Sequence, residues 1–72
     1  MHELDTSGLR CPLPVLKAKK ALRGLDSGEL IQVRATDPAA LDDFPAYCEN
    51  SGNELVESRS EGAAYVFVIR KK

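Results

Sequence analysis

The stretch that decides the fold is LDTSGLRCPLPVLKAKKAL, which runs from Leu4 to Leu22. Turn-forming serine and glycine end a strand-like segment, the pair Cys11 and Pro12 follows, and a helical pattern then begins. The apolar residues of that pattern recur at helical spacing, and the basic residues fall mostly on the other faces. The stretch therefore predicts a strand, a tight loop and an amphipathic helix that ends near Gly24. The apolar set is Val15, Ala18, Ala21, Leu22 and Leu25, and the basic set is Lys17, Lys19, Lys20 and Arg23.

Four segments of the chain are typical of strands. The first is HELD at residues 2–5, and the second is ELIQVRA at 29–35, where apolar and polar side chains alternate. The last two are ELVESR at 54–59 and AYVFVIR at 64–70, joined by a turn at Glu61–Gly62. The last two strands are therefore expected to form an antiparallel hairpin.

A second helix is predicted before the third strand, although Pro45 complicates its start. Asp37 reads as a helix cap ahead of a proline at the first helical position. A proline inside a helix costs about 3 kcal/mol. We therefore expect a short turn over Pro38–Leu41 and a restart capped by Asp42 or Asp43, which would leave Pro45 in the first turn.

The element order strand, helix, strand, helix, strand, strand (βαβαββ) predicts an α/β (α+β) two-layer sandwich. Its four-stranded mixed sheet carries both helices on one face. The first two strands are expected to be parallel, with a right-handed crossover through the first helix. A chain of 72 residues is expected to form one domain, residues 1–72. The expected core is Leu4, Val15, Ala18, Leu22, Ile31, Val33, Phe44, Leu55 and part of the last strand.

The composition excludes several classes of protein. A net charge of −1 gives no overall attraction to nucleic acid or to membranes, and no apolar run approaches the roughly 20 residues of a membrane span. The N-terminal MHELD lacks the features of a signal peptide, so we expect a cytoplasmic protein. Two cysteines and a single histidine, His2, are too few for a disulfide framework or a structural zinc site. We expect neither a metal nor an organic cofactor.

Cys11 is the candidate catalytic residue. It stands at the mouth of the first helix, where the partial positive charge of the helix N-terminus favours an anion. The two prolines remove first-turn donors and leave the N–H groups of Leu13 and Val15 free to point toward the sulfur. The sequence therefore predicts an exposed, easily ionised thiol, which is suited to exchange chemistry and can carry a persulfide. An incidental surface cysteine explains the residues equally well.

The quoted stretch resembles the signature of the TusA/SirA family of small sulfur carriers, in which a CPxP motif opens the first helix. Later segments stand in the family's order and spacing, and the resemblance covers essentially the whole chain. These segments are ATDPA at 35–39, FPAYC at 44–48, GNEL at 52–55 and YVFVIRK at 65–71. The resemblance implies the strand order 1-2-4-3.

The resemblance also implies a sulfurtransferase of the carrier type. A cysteine desulfurase or rhodanese-like donor would supply persulfide sulfur, Cys11 would carry it, and an acceptor protein would receive it. Members of the family serve transfer RNA thiolation, molybdenum cofactor maturation, sulfur oxidation and, in some branches, selenium handling. Asn53 stands where many members have a histidine, which leaves the branch of the family open.

Residues around Cys11 are candidates for supporting roles. The aspartate before the loop is expected to accept backbone N–H bonds, the glycine allows a tight turn, and the prolines stiffen the first helical turn. Arg10 directly precedes the cysteine in sequence. This supporting set is Asp5, Gly8, Arg10, Pro12 and Pro14. The partner-docking candidates are Lys17, Lys20 and Arg23, although a solvated helix face explains them equally well.

Other interpretations stay open from the sequence. Asp37 is a helix cap that also has the position to shape the site, and Cys48 is either a small core residue or a resolving thiol. A non-catalytic binding or regulatory module, with RNA as a candidate ligand of the basic helix, is the alternative function. A redox sensor that forms a Cys11–Cys48 bridge is a third. Tyr65 and Phe67 favour packing over base stacking, and we expect a monomer.

Overall fold

The computed structural model describes residues 1–72 and has the predicted order of elements. The first helix is buried at residues 14, 18 and 22, which is helical spacing, and burial alternates strictly along the second strand. Neither helix has the length and apolar content needed to cross a membrane. The elements are β1 (His2–Thr6), α1 (Leu13–Arg23), β2 (Leu30–Ala35), α2 (Ala40–Ser51), β3 (Glu54–Glu61) and β4 (Ala64–Arg70).

The four strands form one mixed sheet in the order β1-β2-β4-β3, which confirms the predicted fold class. β1 and β2 are parallel, whereas β4 is antiparallel to both β2 and β3. The register places Thr6 opposite Ala35, and Tyr65 opposite both Ala35 and Ser60. The loops after β1 and β2 therefore leave the sheet at the same end. We call this the Cys11 end, and the opposite one the His2 end.

The core lies between the sheet and the two helices. Phe44 of α2 stacks on Phe67 of β4, with ring centroids 4.5 Å apart and an interplanar angle of 18°. Phe67 is therefore a packing residue, as expected. Leu4, Val15 and Leu55 are only partly buried but pack against the core. Its fully buried members are Ala18, Leu22, Ile31, Val33, Ala35, Ala40, Phe44, Cys48, Phe67 and Ile69.

The other face of the sheet has no helix and is covered by charged side chains. Val66 is fully buried there, flanked in register by Arg34 and Arg59. Both arginines pair with Glu61, at 2.9 Å and 2.8 Å, and Arg59 also pairs with Glu57. These ion pairs shield the apolar centre of this face from water.

The predicted restart of the second helix is wrong. α2 runs without interruption from Ala40, and Pro45 lies inside it. Pro45 is exposed, so its ring faces solvent. It removes only the one backbone bond to the carbonyl of Leu41, which is also an exposed residue. Burial of Phe44 and Cys48 on the inner face offsets that loss and holds the helix in one piece.

Candidate functional site

Cys11 lies in the loop between β1 and α1, at the Cys11 end of the sheet, and its thiol is free and exposed. The loop turns directly into α1, because the N–H of Leu13 donates to the carbonyl of Arg10 at 2.8 Å. Pro12 is exposed at the N-cap, whereas Pro14 is buried and anchors the first turn to the core. The structure therefore presents the sulfur outside the fold on a turn that is fixed from within.

The loop before Cys11 is held by short polar contacts. A carboxylate oxygen of Asp5 accepts the N–H of Ser7 at 2.9 Å. Gly8, whose φ is +81°, donates its N–H to the hydroxyl of Thr36 at 2.8 Å. The buried hydroxyl of Thr6 donates to the carbonyl of Arg34 at 2.7 Å. Asp5 and Gly8 therefore take the geometric roles expected from the sequence, and the two threonines add to them.

Asp37 joins the Cys11 loop to the start of α2. Its Oδ2 accepts the N–H of Cys11 at 2.6 Å, and its Oδ1 accepts the N–H of Ala39 at 3.1 Å. These bonds lower the pKa of Asp37, with a smaller contribution from the nearby guanidinium of Arg10. One carboxylate thus holds both the turn before α2 and the backbone of the cysteine. The prediction that Asp37 is the helix N-cap is wrong, because α2 begins at Ala40 and its N-cap is Ala39.

The expectation that Cys11 ionises easily is wrong. The carboxylate of Asp43 raises the pKa of the Cys11 thiol, and partial desolvation and the charge of Asp37 raise it further. The N–H of Leu13, which was expected to point toward the sulfur, is occupied by the carbonyl of Arg10. The carboxylates at the start of α2 therefore favour the protonated form of the Cys11 thiol.

An open groove of about 530 Å³ borders the Cys11 loop. Three leucines at the starts of the two helices are unusually exposed: Leu13 at 45 %, Leu16 at 50 % and Leu41 at 44 %. Their exposure is not among the features predicted from the sequence, although Leu13 and Leu16 fall off the buried stripe of α1, which is the signal that identifies them. The groove is lined by Gly8, Leu9, Arg10, Thr36, Asp37 and Pro38.

The basic candidates for docking lie on α1. Lys17, Lys20 and Arg23 are exposed, and none takes part in an ion pair. Arg23 is ten residues after Leu13, which places it about 15 Å along the helix axis at 1.5 Å per residue. Lys17 is therefore the member of this set closest to the Cys11 loop along the axis.

Two residues far along the chain are structural. Cys48 is 5 % exposed within the core, and its burial raises the pKa of its thiol. Asn53 is buried at the His2 end, where its amide donates to the hydroxyl of Tyr47 at 3.2 Å and accepts the N–H of Lys72 at 2.9 Å. Asn53 therefore ties α2 to the end of the chain, at the opposite end of the sheet from Cys11.

Comparison with known proteins agrees with the class that the fold and site define, a small α+β protein with an exposed cysteine ahead of its first helix. The family model of sulfurtransferase TusA matches residues 2–71. The chain is 52% identical to the sulfur carrier protein TusA of Allochromatium vinosum over 70 residues, 97% of this chain and 92% of that protein. It is 41% identical over 68 residues to the putative sulfur carrier protein YrkI of Bacillus subtilis, 94% of this chain and 91% of that one.

A solved structure shows the same fold. The crystal structure of a SirA-like protein from Desulfitobacterium hafniense superposes with a TM-score of 0.85 at 26% identity, and the match covers 97% of this chain and 96% of the other. The chain belongs to the sulfurtransferase TusA family. Membership supports a role in carrying sulfur between a donor and an acceptor.

Proposed function

We propose that this protein carries sulfur as a persulfide on Cys11. A cysteine desulfurase or a rhodanese-like protein supplies the sulfur, and an acceptor protein receives it. The observation that carries the proposal is the exposed thiol on a loop fixed by Asp5, Gly8 and Asp37, in a chain of the sulfurtransferase TusA family. The protein acts as a monomer in the reducing cytoplasm.

The chemistry needs only the sulfur of Cys11. The Cys11 thiolate attacks the outer sulfur of the donor's persulfide, so a new S–S bond forms as the donor's S–S bond breaks. The donor cysteine leaves as a thiolate and takes up the proton that Cys11 gave away. The donor thus ends as a thiol and Cys11 as a persulfide, with no net oxidation. Attack by an acceptor thiolate on the outer sulfur repeats the exchange in the other direction.

The shape of the site supports transfer between proteins rather than catalysis on a small molecule. Cys11 is exposed on a loop beside an open groove and does not lie in a closed cavity, so a partner's cysteine can approach its sulfur directly. Leu13, Leu16 and Leu41 offer apolar surface at the starts of the two helices, which a docked partner would remove from water. We propose that Pro12 and Pro14 hold this surface rigid. Arg10 stabilises the carboxylate of Asp37 by its charge.

Docking also has an electrostatic component. We assign Lys17, Lys20 and Arg23 to contact with an acidic patch of a donor or acceptor, because these cations are exposed and unpaired. Such contacts act mainly on the association rate and weaken with salt. Lys17 is expected to contribute most and Arg23 least, in the order of their distance from the Cys11 loop.

The acceptor belongs to one of the pathways that the family serves: transfer RNA thiolation, molybdenum cofactor maturation or sulfur oxidation. Capture with the persulfidated protein as bait identifies it, with a Cys11→Ser protein as the matched control. A protein held by the loaded form and not by the control is the acceptor sought. Equal capture by both forms would favour a binding module that does no chemistry.

The proposal is tested by loading. The protein is incubated with a cysteine desulfurase and cysteine, and its intact mass is followed with time. We expect the wild-type chain and Cys48→Ser to gain a sulfur that a reductant removes, and Cys11→Ser to gain none. Absence of any adduct on the wild-type chain, while a known carrier loads in parallel, would reject the proposal.

A further inference from the structure

The open groove beside Cys11 lies between the two loops that leave the sheet at the Cys11 end. The loop after β1 and the loop after β2 each contribute three residues to its lining, and its volume is about 530 Å³. Two hydrogen bonds join the loops: the N–H of Gly8 donates to the hydroxyl of Thr36 at 2.8 Å, and the N–H of Cys11 donates to Asp37 at 2.6 Å. In α/β sheets, ligands bind in the crevice outside the carboxyl ends of parallel strands, which is where this groove lies.

The polar groups of the groove that remain unpaired are hydrogen-bond donors. The N–H groups of Arg10 and Thr36 have no acceptor within the protein. Arg10 is exposed and its guanidinium forms no ion pair, although its charge acts on Asp37. The carboxylate of Asp37 already accepts one N–H on each oxygen, from Cys11 and from Ala39. The groove therefore favours a ligand that supplies acceptor oxygens, and the unpaired cation favours a negative charge among them.

We propose that the groove binds an extended segment of the partner protein, with a carboxylate of that segment on Arg10 and its cysteine at Cys11. This inference rests on the proposed function, because the groove is used only when a partner's cysteine comes to Cys11. A polypeptide fits because its main chain supplies carbonyl oxygens for the free N–H groups. The fork of an arginine binds a carboxylate through two parallel hydrogen bonds, which fixes the direction of approach as well as the charge.

The position of Arg10 also sets the spacing within that segment. Arg10 directly precedes Cys11, so their Cα atoms are about 3.8 Å apart. In an extended segment, side chains two positions apart point to the same face and lie roughly 7 Å apart along the chain. A carboxylate two residues from the partner's cysteine therefore faces the carrier together with that cysteine. A carboxylate directly next to the cysteine would point away from the groove.

The test compares short peptides in disulfide exchange with Cys11. Each peptide carries one cysteine activated as a disulfide with thiopyridine. The first has glutamate two positions before and two positions after the cysteine, and the second has glutamine there. The Cys11 thiolate attacks the peptide sulfur, the bond to the thiopyridine sulfur breaks, and thiopyridine leaves with the electron pair and takes up the proton. The absorbance of the released thiopyridine gives the rate, and Cys11→Ser gives the background.

The measured quantity is the rate of the glutamate peptide divided by that of the glutamine peptide. We expect a ratio of about five in the wild-type chain, the upper range for an exposed ion pair. Arg10→Gln should lower the ratio to about one, and Arg10→Lys should give an intermediate value, because lysine keeps the charge and loses the fork. Lys19→Gln is the matched control, since Lys19 is an exposed cation of α1 outside the groove, and it should keep the wild-type ratio.

The ratio separates binding of the carboxylate from damage to the fold. A change in the loop or in the thiol alters the rates of both peptides equally and leaves the ratio unchanged. Arg10→Ala replaces Arg10→Gln if circular dichroism shows that the latter does not fold. A ratio near one in the wild-type chain, or the same ratio in the wild-type chain and the Arg10 variants, would overturn the inference. A third peptide, with glutamates directly beside the cysteine, should react no faster than the glutamine peptide, and a rate equal to that of the first peptide would overturn the spacing.

The two proposals fail in different ways. A wild-type chain that takes up no sulfur from a cysteine desulfurase rejects the proposed function. The peptide reaction uses an ordinary disulfide and needs no sulfur donor, so it still decides whether Arg10 holds a carboxylate in the groove.

Discussion

Substitution of Asn53 by alanine separates the stability of the fold from the chemistry of the site. Asn53 is 7 % exposed, and its side chain makes two hydrogen bonds, to Tyr47 and to the N–H of Lys72. Each bond contributes about 1 kcal/mol net, and the buried partners that lose it add a penalty. We expect Asn53→Ala to lower the free energy of unfolding by about 2 kcal/mol.

This decrease in the free energy of unfolding is large for a chain of this length. A domain of this size has a total stability of about 4–11 kcal/mol, and each kcal/mol corresponds to about 4–8 °C in the melting temperature. Asn53→Ala should therefore melt roughly 10 °C below the wild-type chain. Asn50→Ala is the matched control, because Asn50 is an exposed residue of α2, and its effect should stay within about 0.5 kcal/mol.

The assay compares urea unfolding with sulfur loading. Because Asn53 lies at the His2 end, loading of Cys11 by a cysteine desulfurase should proceed at the wild-type rate at temperatures where the variant is folded. Asn53→His should behave the same way toward the donor. A loading rate that falls severalfold in a folded Asn53→Ala protein would refute the assignment of this residue to structure alone.

Three further predictions address the core, the loop and the docking surface. Phe44→Ala removes the stack on Phe67 and should cost about 3–5 kcal/mol in urea unfolding, whereas a cost under 1 kcal/mol would contradict the core described here. The pKa of Asp37 is lowered in the folded state, so its carboxylate stabilises the protein above the ordinary value of 3.8, and that stability is lost as pH falls below it. Acid titrations of unfolding should therefore be less steep in Asp37→Asn, and identical curves would count against the bond to Cys11. The double change Lys17→Glu and Lys20→Glu should slow loading severalfold at low salt with an unchanged melting temperature, and equal rates would leave these lysines as a solvated face.

The fold was predictable because local patterns and topology agree. The helical spacing of apolar residues from Val15 to Leu22 and the apolar–polar alternation around Val33 each leave only one face that can be buried. The crossover of a strand–helix–strand unit also has one preferred hand. The second helix was harder to predict from the sequence. The cost of Pro45 is a local quantity, whereas the burial of Phe44 that offsets it depends on the packing of the whole domain.

The site was predictable only in its centre. CPxP next to a helix start marks Cys11, and the polar residues before it mark a fixed loop. The pKa of the thiol is raised chiefly by Asp43, which is 32 positions away in sequence and is expected from the sequence only as a helix cap. Helix-end electrostatics alone gave the wrong sign for the pKa of Cys11, since no local pattern shows that the start of α2 lies beside it.

The most direct test of the account locates the carried sulfur. Protein loaded by a cysteine desulfurase is alkylated, digested and examined by peptide mass spectrometry for the cysteine that holds the extra sulfur. We predict the persulfide on the peptide of Cys11 and an unmodified, buried Cys48. Sulfur found on Cys48, or on neither cysteine, would contradict it.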